Sequence, residues 1–290
     1  MLKPYVEYLR SMQNNYQLIN GDCLDEMKSI QDNSVDLILC DLPYGTTDTS
    51  KTKKSEQNRL FSWDCVIPLD ELWKQYTRIL NKEHGVVVLT ADQPFTSQLV
   101  MSNLEWFKYD WIWKKKRTTG FLHANHRPMK QTEDILVFSP LGASAASSKA
   151  GKSMRYNPQG LIPKNVKKTN SPNRLGNFLR NDTHMGKNNM LLSDKQYEQK
   201  FTNYPTEILE FGIKANKYHP TQKPIELMEY LIKTYSNEGD LVLDNCMGSG
   251  TTGIAAINTN RKFIGIELSK EYFDISSERI SKVNPITKFS

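Results

Sequence analysis

Two short stretches of the 290-residue sequence carry residue types suited to chemistry on a bound molecule. The first is Asp41-Leu42-Pro43-Tyr44, directly after the apolar run SVDLILC at 34–40. Open α/β sheets bind ligands beyond the carboxyl ends of their strands, so a carboxylate and an aromatic ring there face a potential crevice. Read alone, the tetrapeptide is also an ordinary Asp-Pro turn in which Tyr44 caps the core.

The second stretch is LVLDNCMGSGTTGIAAINTNRKFIGIELS at 241–269. An apolar strand ends in Asp244, a turn follows with Gly248, Gly250 and Gly253, a helix begins near Thr251, and the next strand ends in Glu267. Such a unit suits an adenosine-containing cofactor. Its glycines let the backbone approach the ligand, and a carboxylate about 20 residues on accepts hydrogen bonds from both ribose hydroxyls. A tight turn that binds nothing is the bland alternative. Residues 248–253 also match the GxGxxG fingerprint, which makes a nicotinamide-dependent oxidoreductase the rival from another class. A dinucleotide site usually opens its domain and leads into a second nucleotide-binding half, yet only 23 residues follow Glu267. A cofactor with one nucleoside fits better.

These residues need a scaffold, and the apolar periodicity supplies one. Strands are predicted at 34–40, 85–90, 107–113, 134–139, 240–244 and 262–267. Helices are predicted at 69–80, at 93–103 with Pro94 in the first turn, at 224–235, from about 251, and at 270–281. Strands alternating with helices give an α/β fold with a mostly parallel sheet.

Charge is distributed unevenly. The chain has 38 Lys and Arg against 32 Asp and Glu; residues 141–218 hold thirteen against five, leaving 25 against 27 elsewhere. That segment is rich in Asn, Gly and Pro and shows no sustained helical or strand period, so it reads as a basic insertion. It suits either a solvated linker or a surface that neutralises phosphates, with Lys164, Lys167, Lys168, Arg174 and Arg180 as candidate DNA contacts. Two further basic clusters are expected on loops, Lys51, Lys53, Lys54 and Arg59, and Lys114, Lys115, Lys116 and Arg117. Together the three patches would line a groove for a polyanion. No run of 18 apolar residues occurs, and the N-terminal stretch lacks a signal-like apolar core, so a cytoplasmic protein is expected. Cys23, Cys40, Cys65 and Cys246 are too scattered for paired metal-ligand spacing or a disulfide framework, and neither bound metal nor disulfides are expected.

Residues 16 to about 282 resemble the amino DNA methyltransferases of the permuted order, in which the catalytic motif precedes the cofactor motif. The matching pieces are GDCLDEM at 21–27, DLPY at 41–44, QPFTSQLVMSN at 93–103 followed by WIWKK, HPTQKPIELMEYLIKTYSNEGDLVLD at 219–244, and GSGTT at 248–252. The resemblance implies a Rossmann-like fold in which 1–140 is the catalytic half, 141–218 the target-recognition insertion and 219–290 the cofactor-binding half. It implies S-adenosylmethionine as cofactor and DNA as partner, with a homodimer and a cognate restriction endonuclease as further candidates.

Carried over by position, the resemblance has Asp41 and the backbone carbonyl of Leu42 accept the two hydrogens of a base amine. Pro43 completes the turn and Tyr44 stacks on the extruded base. The amine's lone pair is drawn into the ring, and two acceptors would turn it toward a tetrahedral, attacking geometry. Extrusion is needed because a methyl donor cannot reach the amine within the stack. The resemblance sets Asp244, Gly248, Gly250 and Thr251 around the methionine part of the cofactor and Glu267 on its ribose. Asp22 and Cys23 lie near the adenine, and His219, Thr221 and Lys223 close the pocket. Asp at the first motif position points to adenine N6, with cytosine N4 as the alternative. Leu42 replaces the usual Pro, and Asn245-Cys246 replaces Pro-Phe, which removes an aromatic contact to the cofactor. A silent DNA-binding protein with a vestigial pocket is the remaining alternative, yet such a protein would be expected to lose Asp41 or Tyr44.

Overall fold

The computed structural model describes residues 15–45, 66–169, 196–212 and 222–283. His219, Thr221, Arg174, Arg180, Cys65 and the basic cluster from Lys51 to Arg59 lie outside the described residues. The chain divides into two compact units, 1–157 with 207–290, and 158–206.

The larger unit is organised around one eight-stranded sheet. Its elements in chain order begin with β1 (Tyr16–Asn20), the short helix α1 (Cys23–Glu26), β2 (Leu37–Asp41), α2 (Leu69–Ile79), β3 (Val86–Ala91), α3 (Phe95–Ser102) and β4 (Phe107–Thr119). They continue through β5 (Lys130–Phe138) and α4 (Ala145–Lys149). The smaller unit holds β6 (Ile162–Thr169) and β7 (Gln196–Thr202). The larger unit resumes with β8 (Ile208–Phe211), α5 (Ile225–Tyr235), β9 (Leu241–Asp244), α6 (Thr251–Asn258), β10 (Lys262–Glu267) and α7 (Lys270–Ser281). The strand order is β1-β10-β9-β2-β3-β5-β4-β8, and only β5 runs against the others.

Burial on both faces explains why the central strands read as continuous apolar runs. Along β2, Leu37 and Leu39 join one buried cluster with Leu227 and Leu231 of α5 and Ala255 of α6. Ile38 and Cys40 point the other way, into a cluster with Leu72, Trp73 and Tyr76 of α2 and Phe95 of α3. Period-two alternation thus serves two cores at once.

Most sequence-based elements are found with small shifts at their ends, but β4 runs six residues past its expected end and β5 begins four residues before its expected start; β10 and α7 fall at the expected residues. β1, α1, α4 and β8 have no counterpart among the sequence-based elements. The run Lys114–Arg117 lies on β4 rather than on a loop, where Lys114 pairs with Glu210 at 2.6 Å and Lys115 with Glu133. Residues 141–157 belong with the larger unit, because Met154 is buried in its core and Leu141 packs beside it. Among the described residues of the smaller unit the basic segment forms strands rather than irregular chain: β6 and β7 pair antiparallel across a shift between Pro163 and Val166. Lys164, Lys167 and Lys168 all lie on β6. Among the described residues, no helix is long and apolar enough to cross a membrane.

Gly250 precedes α6 with φ +80°, and a Cβ there would meet Ser276 Cβ at 2.9 Å and its Cα at 3.2 Å. Gly239 has a similar φ of +85° and nothing within 4 Å. Gly239→Ala therefore measures left-handed strain alone, about 1 kcal/mol, whereas Gly250→Ala adds a clash with α7 and costs about 2–4 kcal/mol. Urea melts of the two variants against the parent test that difference; equal losses would show that α7 moves aside freely.

Candidate functional site

Four parallel neighbours, β1, β10, β9 and β2, end at the same edge of the sheet, and each delivers a carboxylate there or just beyond it. Asp22 follows β1, Glu267 ends β10, Asp244 ends β9 and Asp41 ends β2. They surround one cavity of about 540 Å³, a volume typical of small-molecule sites. Its wall includes Asp41, Leu42, Pro43 and Tyr44 together with Asp22, Cys23, Asp244, Gly248, Thr251, Glu267 and Lys223. Two motifs 200 residues apart therefore open into one chamber.

Asp41 is held by three donors. Tyr44 Oη donates to its Oδ1 at 2.8 Å, the Thr90 hydroxyl donates to the same oxygen, and Lys223 Nζ donates to Oδ2 at 2.6 Å. A carboxylate offers about four acceptor positions, so one remains, on Oδ2. The Tyr44 ring stacks on Phe95, with centroids 5.5 Å apart and planes at 29°. Burial holds the Tyr44 phenol well above its ordinary pKa. It stays a neutral donor.

Lys223 is only 5 % exposed. Its ammonium also reaches Glu133 at 3.3 Å, and Glu133 in turn pairs with Lys115. Burial alone lowers a lysine's pKa, but the carboxylates of Asp41 and Glu133 more than offset it and raise Lys223 above its usual value. The expected pocket-closing lysine is thus also the counter-ion of the motif carboxylate. Thr90, Glu133 and Phe95 were missed by sequence reasoning: Thr90 looks like the end of an apolar strand, and Glu133 like a solvent-facing strand residue.

Another part of the cavity wall is built from the turn after β9. Gly248 N donates to Glu267 Oε2 and Ser269 N to Glu267 Oε1, both at 2.8 Å, so backbone amides orient the carboxylate from two sides. Burial raises the Glu267 pKa, and these amides pull against the rise. Asp22 caps α1 by accepting from Leu24 N at 2.8 Å. Gly250, expected beside a ligand, is not part of the cavity wall, because its missing Cβ is needed for contact with α7. Cys23, Cys40 and Cys246, far apart in sequence, come close enough in space to act on one another electrostatically, and Asn245 Nδ2 donates to Cys246 Sγ at 3.5 Å. All three are free thiols, and burial pushes Cys40 up to about 12. Cys23 and Cys246 both line the cavity, so that part of its wall is neutral thiol. Buried Asn245 accepts from Tyr76 Oη at 2.6 Å and ties this turn to α2.

Asp244 is 2 % exposed, and burial raises its pKa to about 6, against the opposing hydrogen bonds from Thr252 and the Cys246 amide. A carboxylate charged at neutral pH at such a cost is relieved by a cationic ligand group. The raised value sets the sign of a pH effect. Proton uptake favours the folded state below the ordinary value of 3.8, and that contribution is lost as pH rises through about 6. Asp244→Asn keeps an acceptor for the Cys246 amide and removes the ionisation. The ligand-free variant should be more stable than the parent by up to about 3 kcal/mol near pH 8, with no such gain near pH 4. Denaturant melts at both pH values check this; a variant less stable at pH 8 would contradict it.

Known DNA methyltransferases resemble this chain over most of its length. Escherichia coli YhdJ, a DNA adenine methyltransferase, is 28 % identical over 267 residues, covering 91 % of this chain and 82 % of its own length. The type II methyltransferase M2.MboI of Moraxella bovis is 26 % identical over 299 residues, covering 99 % of this chain and 94 % of its own. The solved complex of M1.HpyAVI with S-adenosylmethionine shares the fold at TM-score 0.55 and 23 % identity, over 91 % of this chain and 99 % of that one. The family model for N6 and N4 DNA methylases matches residues 35–278, a span holding both motifs, and the chain belongs to that DNA methylase family.

Proposed function

We propose that the protein transfers a methyl group from S-adenosylmethionine to N6 of adenine in DNA. The observation that carries the reading is the single cavity with the one open acceptor position of Asp41 in its wall and the buried, costly carboxylate of Asp244 in the same wall. The cofactor supplies an electrophilic methyl on a sulfonium. The residues around the cavity fit it. Glu267 offers lone pairs for ribose hydroxyls, Asp244 and Thr251 face the methionine ammonium, and Gly248 leaves room for close approach. Asp22 and Cys23 serve the adenine end.

On the substrate side, Asp41 Oδ2 and the Leu42 carbonyl accept the two amine hydrogens and aim the nitrogen lone pair at the methyl group. Tyr44, backed by Phe95, offers its ring to the extruded base. Adenine is favoured over cytosine by Asp at the head of the motif and by the activity named for YhdJ. The name of M2.MboI supports a restriction-modification setting, with a cognate endonuclease as partner and the cytoplasm as the proposed location.

Asp41→Ala should lower turnover by about 10²- to 10³-fold or more, with cofactor affinity within about threefold of the parent. Removing Asp41 leaves the Lys223 ammonium without its nearer partner, so the variant is first checked by a melting curve. Wild-type-like turnover would overturn the role. Nucleoside digestion of DNA methylated by the parent, read by mass spectrometry, should give N6-methyladenine; N4-methylcytosine as the main product would move the assignment to the other base.

The smaller unit supplies DNA contacts in this reading. Replacing Lys164, Lys167 and Lys168 by Gln should weaken DNA binding and flatten its logarithmic salt dependence by about one unit per lost phosphate contact. An unchanged slope would leave the unit a spacer.

A further inference from the structure

The β4–β5 hairpin reaches well past the catalytic edge of the sheet. Asp41 pairs in register with Thr90, Thr90 with Ile135, and Ile135 with Trp111, so these four residues lie level across β2, β3, β5 and β4. β4 runs parallel to β2 and continues from Trp111 to Thr119. Its partner β5 covers the same stretch in the five steps from Ile135 to Lys130, with a bulge on β4 between Lys114 and Thr119, so at about 3.3 Å per residue the paired overhang is about 16 Å on the side where Asp41 opens into the cavity.

Residues 114–130 contain six Lys or Arg, two His and no Asp or Glu. Lys114, Lys115 and Lys130 are paired with Glu210, Glu133 and Asp92 at the base, whereas Lys116, Arg117, His123, His126 and Arg127 are exposed. The tip is an ordered turn: His123 N donates to Gly120 O at 2.9 Å, Ala124 N to Phe121 O at 3.0 Å, and Arg127 N to His123 O at 3.0 Å. At its apex Phe121 is 79 % exposed and Leu122 is 91 % exposed. Two large apolar side chains on a fixed turn, ringed by cations, are held in water by a protein that had polar residues available.

The geometry points to this tip as a wedge that enters the DNA base stack beside the target base. The inference rests on the DNA methylase reading and adds to it the device that opens the duplex. Phosphates explain the ring of cations but gain nothing from Phe121 and Leu122, which carry no hydrogen-bonding group. Stacked bases do gain, because an apolar side chain placed between them fills the gap left as the target swings into the cavity. The cationic flanks then straddle the phosphates on either side of the entry point.

The test compares the parent with Phe121→Ala/Leu122→Ala on two duplexes carrying the methylation site located by modification-sensitive sequencing. In one the target base is paired; in the other it lies opposite an abasic position and is already unpaired. The variant should lose about 10- to 100-fold in kcat/KM on the paired duplex and stay within about threefold of the parent on the abasic one. A 2-aminopurine at the target should brighten on binding to the parent and far less with the variant. No loss on either duplex, or an equal loss on both, overturns the wedge. So does a parent dimer that the variant dissolves in sedimentation, which would make the tip a self-association surface. A parent that methylates neither duplex would fail the methylase reading itself, so the two failures are distinguishable.

Discussion

The site depends on one buried ammonium and the carboxylates that face it. A lysine ammonium taken almost wholly out of water costs several kcal/mol unless carboxylates face it, and Lys223 is faced by Asp41 and Glu133. Lys115 then pairs with Glu133 Oε1, so charges of alternating sign run from the end of β2 through the segment before α5 to β5 and β4. None of these groups can leave without exposing another buried charge. That constraint, more than the turn itself, fixes where the Asp41 carboxylate points.

The same constraint divides the cavity electrically. At the Asp41 end a lysine has already neutralised the carboxylate, and the tyrosine and threonine hydroxyls complete its environment. Neutral ligand chemistry, such as an aromatic amine, suits that end. At the other end Asp244 and Glu267 are held by hydrogen bonds without a cation among the described residues, and burial works against their ionisation. A ligand carrying positive charge balances that end and is drawn to it.

How much of this was legible depended on contrast within the sequence. Runs such as SVDLILC and GVVVLT are buried on both faces, and their lack of polar residues marks them plainly. The DLPY and GSG motifs disclosed the cavity because each lies directly after such a strand. The partnership of Lys223 with Asp41 spans 182 residues and leaves no local signal. The strands β6 and β7 were missed for the opposite reason, since β6 exposes Ile162 and Val166 to solvent beside lysines and so shows no apolar face to read. The cysteines taught a similar lesson: sequence spacing excludes a local motif, and says nothing of a meeting across the sheet.

The seam between β2 and β9 has a temporal meaning. Leu37 and Ile38 bond to Val242 and Leu243, strands that are neighbours in the sheet and far apart in the order of synthesis. A ribosome makes the Asp41 half long before the partner strand that completes the chamber, and contacts of such long sequence separation form slowly. Until β9 docks, β2 presents an open apolar edge and Asp41 lacks its lysine. The growing chain therefore carries no working site, and its exposed strand must be sheltered from neighbours until the last quarter of the polypeptide arrives.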